Sequence, residues 1–420
     1  MKIDVTKYRL ENGLRVLVHT DTSTPMAVVN LLYNVGSKDE NPSMTGFAHL
    51  FEHLMFGGTR AVPNFDSALQ LAGGESNAFT NCDFTNFYIT IPVANIETAL
   101  WLESDRMKGP DLSEKSLRVQ KMVVAEEYRQ RYLNQPYGDA MLHLRPLVYK
   151  VHPYRWATIG SDILHIEKAS PKTVYEFFKT HYRPANAILT IAGNINPEKA
   201  FKLARKWFND IAPGKSVNSR NLPAEPVRQA GATLDLFRNV PANALYRAWI
   251  VNPRASNGFH TFDMITDILA GGESGRLYAS LVREKRLFTE INAFVTGEIE
   301  PGMVIVNGRL APGVSKETAV EEIDREMARL AAGQITAREL QKVRNRYASS
   351  FHMANTGVLQ KAIALSHHEL IDDASSINRM VGLYNNITIE MISDAVKERL
   401  NPAMASTLWY NKTDQNDATE

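Results

Sequence analysis

The run Gly46-Phe47-Ala48-His49-Leu50-Phe51-Glu52-His53-Leu54-Met55-Phe56-Gly57-Gly58 sets two histidines and a glutamate into an otherwise apolar segment. Its periodicity predicts a helix over Thr45 to Phe56, with Thr45 as N-cap and Gly57-Gly58 as the stop. On a helix, residues four apart lie on one face, so the imidazoles of His49 and His53 reach the same point. Glu52 sits beside His53, placed to act on a water rather than to bind a metal. This is the reverse order of the His-Glu-x-x-His zinc helix. A polar trio inside a buried apolar helix needs partners, and one metal ion satisfies all three.

A catalytic zinc takes three protein ligands and leaves a position open. The third must come from elsewhere in the chain. A helix predicted from about Ser113 to Tyr132 offers Glu126 and Glu127, and periodicity alone does not choose between them.

Around this centre the sequence reads as an α+β protein in two related halves. Tyr8 and Leu10, then Asn12-Gly13, then Leu14, Val16 and Val18 spell a hairpin. Met26 to Val35, Phe79 to Pro92 and Ala187 to Ala192 read as strands. Asn95 to Met107, Pro171 to Thr180 and the segment opened by Asn196-Pro197 read as helices. Ala212 to Pro226 is rich in Pro, Gly, Ser and Asn and lacks periodicity, which marks a linker. Strands then return (Ala244 to Val251, Ile291 to Leu310) around a helix, Gly258 to Ala270, with two helical stripes after them. Gly258-Phe259 leading to Gly271-Gly272 echoes Gly46-Phe47 leading to Gly57-Gly58. This sets Asp263, Thr266 and Asp267 opposite His49, Glu52 and His53. The expected division is 1–211, a linker at 212–230, and 231–420 as a homologous half without a metal site.

Composition narrows the function. The 420 residues are 44% hydrophobic and 22% charged with a net charge of +1, which describes a globular chain with no basic footprint for nucleic acid. One cysteine, Cys82, allows neither an intrachain disulfide nor a thiolate zinc cluster. No apolar run approaches membrane-spanning length, and the first residues lack a secretory pattern. The expectation is a cytoplasmic protein without a membrane partner, or a periplasmic one if a leader has been removed.

His-x-x-Glu-His followed by a Val-Val-x-x-Glu helix resembles the pitrilysin family of zinc peptidases, which includes insulin-degrading enzyme and the mitochondrial processing peptidase. Nearly the whole chain takes part: Gly46 to Phe56, Asn77-Ala78-Phe79-Thr80 with Asp83 and Thr85, Val123 to Arg131, His152-Pro153-Tyr154 with Thr158-Ile159-Gly160, and Ser274 to Tyr278. The resemblance implies two α/β-roll domains, each a mixed sheet with helices packed on one side, forming half of a clam-shell. It implies one Zn2+ per chain, held by His49, His53 and Glu127, with Glu52 as general base and Glu126 as a neighbour outside the ligand set. Some members carry a second-shell glutamate where this chain has Gln120. The resemblance further implies that Asn77, Ala78, Phe79 and Thr80 form an edge strand on which an extended peptide adds.

Active relatives supply an Arg and a Tyr from the second half to stabilise the oxyanion. Anchored on Leu281 and Leu287, those positions here are Val282 and Thr289, with Arg283 one place off. The implied partner is a homologous zinc-less subunit carrying both groups, in a heterodimer, with a homodimer as the other arrangement. The competing expectation is a non-catalytic scaffold subunit of the same family. Of the remaining candidates, His367-His368-Glu369 diverges around a helix, His152 reads as a loop anchor, Cys82 as a buried structural thiol, and Arg276 with Tyr278 as a structural turn.

Overall fold

A computed structural model describes residues 2–214, 221–227, 230–256 and 258–413. Among these described residues are eleven strands: β1 Thr6–Arg9, β2 Arg15–Thr20, β3 Met26–Tyr33, β4 Glu75–Thr80, β5 Thr85–Pro92, β6 Ala187–Gly193, β7 Thr233–Arg238, β8 Ala244–Pro253, β9 Phe288–Val295, β10 Pro301–Leu310 and β11 Ser406–Lys412. They build two sheets, in the orders β1-β2-β6-β3-β5-β4 and β7-β11-β8-β10-β9. Without β1 the two orders are the same. β2 runs parallel to β6 as β7 does to β11, and the other neighbours are antiparallel in both. The local echo in the sequence is therefore a repeat of the whole sheet.

The hairpin at Asn12-Gly13 forms as read, with Arg9 opposite Arg15 and Gly13 at φ +89°. The segment Phe79 to Pro92, read as one strand, is instead the end of β4, a turn and β5. Asn81 makes the turn by accepting the N–H groups of Asp83 and Phe84 on its side-chain oxygen. Its turn chemistry was hidden inside an aromatic run.

The chain forms two compact units, and neither is contiguous. One comprises Met1–Arg129, Trp156–Leu222 and His352–Arg379; the other Gln130–Arg155, Pro223–Phe351 and Met380–Glu420. The expected division placed one cut at 212–230, a segment whose residues 215–220 and 228–229 lie outside the described ones. The single cut misassigns two segments. The helix Ala140–Val148 packs on β8 and β11, and the helix Val358–Ile371 packs on β3 and β6. An amphipathic helix carries its apolar face in its sequence but not the address of the sheet it covers.

In the first unit the helices Ile96–Lys108 and Pro197–Phe208 pack on the sheet. Tyr33 and Phe87 face this layer, Phe87 lying under the Arg106 guanidinium. The alternate residues point the other way. Asn30, Asn86 and Thr190 there form a buried polar layer with Ser366 of Val358–Ile371 (Asn30 Nδ2 to Ser366 Oγ 2.8 Å, Thr190 Oγ1 to Ser366 Oγ 2.7 Å). The helix layer expected on one side is thus joined by a helix on the opposite face.

Candidate metal centre

The helix of His49 and His53 spans Phe47–Leu54, shorter than predicted at both ends, and its N-cap is Gly46 rather than Thr45. Gly46 has φ +89°, a backbone conformation that glycine adopts without strain. Thr45 is drawn away instead, its hydroxyl lying 2.9 Å from His165 Nδ1 and 3.0 Å from Ser161 Oγ. The helix is oriented from behind: Phe47 packs on Phe177, and Phe51 stacks on Phe177 and Tyr182. With that face buried, His49 and His53 turn the other way.

There they meet Glu127, in the last turn of the helix Glu114–Tyr128. His49 Nε2 and His53 Nε2 are 3.4 Å apart. Glu127 Oε2 lies 3.5 Å from the first and 3.2 Å from the second. Ligands about 2.0–2.1 Å from a tetrahedral zinc stand about 3.3–3.4 Å from one another. The three atoms therefore have the spacing of one face of such a tetrahedron. The side chains are 12%, 24% and 17% exposed, so the face opens to solvent on one side. Among the described residues this is the one place where three such donors converge. The residues fit the ion: two imidazoles and a carboxylate form a typical zinc donor set.

Glu126 points outward, exposed and 3.3 Å from Arg129. Gln120 is half-buried, two turns before Glu127 on the same helix. Glu52 is half-buried next to His53. Behind the helix Tyr182 is buried against Phe51 and Tyr33, and burial pushes its hydroxyl well above its usual range, with a smaller contribution from the charge of Glu52.

Asn77, Ala78, Phe79 and Thr80 lie on β4, the outermost strand of its sheet. They pair with Tyr88, Phe87, Asn86 and Thr85 on one side, and the helix Phe47–Leu54 packs against the strand. The Ala78 N–H donates to the Asn77 side-chain oxygen at 2.8 Å.

In the second unit the helix Phe259–Ala270 follows β8 as Phe47–Leu54 follows β3. Asp263 accepts the Tyr384 hydroxyl, and the Tyr384 ring stacks on Tyr347 at 3.3 Å. Asp267 lies 3.8 Å from Arg346. Val282 packs against the second core, Arg283 is exposed and Thr289 lies on the edge strand β9. The other candidates have structural partners. His368 Nδ1 is 2.7 Å from Ser376 Oγ, Glu369 pairs with Lys7, and Arg276 pairs with Glu339. His152 packs between Tyr149 and Tyr154, and Cys82 is buried. No helix among the described residues is long and apolar enough to cross a membrane.

The chain matches the description "Insulinase (Peptidase family M16)" over residues 15–146 and "Peptidase M16 inactive domain" over 168–347. It is 30% identical over 347 residues to the zinc protease PqqE of Helicobacter pylori, covering 80% of this chain and 76% of that protein. The mitochondrial-processing peptidase subunit beta of Caenorhabditis elegans is 27% identical over 210 residues, 49% of this chain and 45% of that one. The crystal structure of a protease from Helicobacter pylori superposes with a TM-score of 0.90 at 26% identity, covering 97% of this chain and 100% of the other.

Proposed function

The chain belongs to the insulinase family of peptidases, family M16, and from that premise we propose that it hydrolyses peptide bonds in extended or unfolded segments at a single zinc centre held by His49, His53 and Glu127. The observation that carries this reading is the triangle of donor atoms with edges of 3.2, 3.4 and 3.5 Å.

Bound there, zinc supplies a Lewis acid and lowers the pKa of water. The remaining work falls to side chains. Glu52 takes a proton from the attacking water and returns it to the leaving amine. β4 aligns the peptide by main-chain hydrogen bonds, which demand little of its sequence. Glu126 takes no part.

The oxyanion needs a donor, and Val282 and Thr289 offer no cation and no phenol. In this reading a homologous subunit supplies an Arg and a Tyr, and a homodimer would lack both. The named relative that is one subunit of a processing peptidase supports an assembly of this kind. The same two positions favour a second reading, a scaffold subunit that retains its metal.

The test is cleavage of a mixed pool of unfolded peptides by the purified chain, alone and with each homologous subunit of its source, against Glu52→Gln as blank. Activity that vanishes in the blank supports the peptidase. A zinc-loaded chain inactive with every such subunit is the scaffold.

A further inference from the structure

The loop between β3 and the helix of His49 and His53 touches both parts of the centre. Gly36 lies so close to the β4–β5 turn that an added Cβ would stand 2.4 Å from the Cys82 carbonyl carbon. The next two N–H groups donate into that turn, Ser37 to the Asn81 carbonyl at 3.1 Å and Lys38 to the Cys82 carbonyl at 3.0 Å. Lys38 Nζ then pairs with Asp83 at 2.6 Å, with both side chains about 95% buried (5% and 4% exposed). The Trp156 indole N–H closes on the Ser37 carbonyl at 2.8 Å.

The other end of the loop reaches the helix. Glu40 is 6% exposed, and its two carboxylate oxygens accept the N–H groups of Gly46 and Ala48, each at 2.8 Å. The helix Phe47–Leu54 has no side-chain cap from Gly46 and no acid in its first turn. Glu40 therefore provides from outside the two acceptors that a helix N-terminus calls for. The residue after Ala48 is His49.

Burying a carboxylate and an ion pair costs desolvation that their attraction offsets only in part. The best-attested use of such groups is to fix register. We propose that Gly36–Glu40 is a positioning device that sets the helix of His49, Glu52 and His53 in register with the edge strand β4, Glu40 fixing the helix and Lys38 the strand. Its consequence for turnover rests on the peptidase reading above.

The test separates the two arms on the full chain. Zinc affinity is measured by competition with a chromogenic chelator, and peptide affinity by the anisotropy of a labelled, unfolded peptide. Glu40→Gln keeps the size of the side chain but replaces one acceptor by a donor. It weakens zinc about tenfold, as loss of a ligand-orienting group does, and leaves peptide affinity within about twofold. Lys38→Met does the reverse, weakening the peptide about fivefold with zinc affinity unchanged. Glu40→Gln binding zinc like the native chain overturns the proposal. So do two variants that weaken both affinities by one factor, the mark of general loosening. Glu40→Ala is the harsher form, and should it fail to fold, the Gln variant decides. A native chain that binds no zinc overturns the metal reading itself, before any variant is compared.

Discussion

A helix turns about 100° per residue, and that angle separates Glu127 from Glu126. The first stands 3.2 Å from His53 Nε2, the second pairs with Arg129 in solvent. Glu127→Ala should therefore cost zinc affinity by an order of magnitude or more, while Glu126→Ala changes it little; a chelator competition assay checks both. Glu52→Gln should keep the zinc and lower kcat by about 10²–10⁴-fold, read as peptide hydrolysis by metal-loaded protein. The histidine pair was legible because its geometry is local, fixed by a spacing of four. Choosing between adjacent glutamates depends on which face of their helix meets its neighbour, and pattern alone left that open. Glu40 was illegible for a related reason, since it reaches the helix through space.

At the scale of elements, the edge strand carries one prediction. If β4 takes peptides by main-chain pairing, N-methylation of a peptide amide should raise KM at alternate positions and not at those between, because successive N–H groups on a strand point opposite ways. The helix Val358–Ile371 carries another. It is tied to the first unit by Lys361 on Asp21 at 2.6 Å, and the segment after it by Lys7 on Asp373. Lys7, with help from Ser375, holds the Asp373 carboxyl down at about 2, and Lys361 holds Asp21 well below the usual range. A carboxylate depressed in the folded state stabilises above its unfolded pKa of about 3.9 and loses that contribution as pH falls through the folded value. Denaturant midpoints should fall between about pH 4 and pH 2, and Asp373→Asn should flatten part of that slope. Most elements were legible from periodicity and caps. The β4–β5 turn was not, because its asparagine sits among strand-forming aromatics.

At the scale of the whole molecule, one sheet plan occurs twice, and among the described residues a converging set of three metal-binding side chains occurs once. The duplication was visible as a short Gly-Phe to Gly-Gly echo. The exchange of helices between the halves was not, because it is a fact of contacts between residues far apart in sequence. The second unit fills the position equivalent to the metal site with Asp263, Tyr384 and Tyr347, so one metal per chain is the expected stoichiometry by elemental analysis. If Val282 and Thr289 stand at the oxyanion positions, as proposed above, the chain alone should turn over peptides slowly. Adding a homologous subunit that carries Arg and Tyr should raise kcat with little change in zinc content.

The interleaving of the two units has a consequence for synthesis. Val28 and Ala192 wait for Ala362, Val358 and Leu359 to cover them, and the ribosome delivers that helix long after β6. At about 5–20 residues per second, the first sheet exists for roughly ten to thirty seconds with apolar side chains on an uncovered face. A nascent chain stalled at the linker is therefore not a finished first half. A gene cut at that point should yield an aggregating fragment in place of a small folded protein.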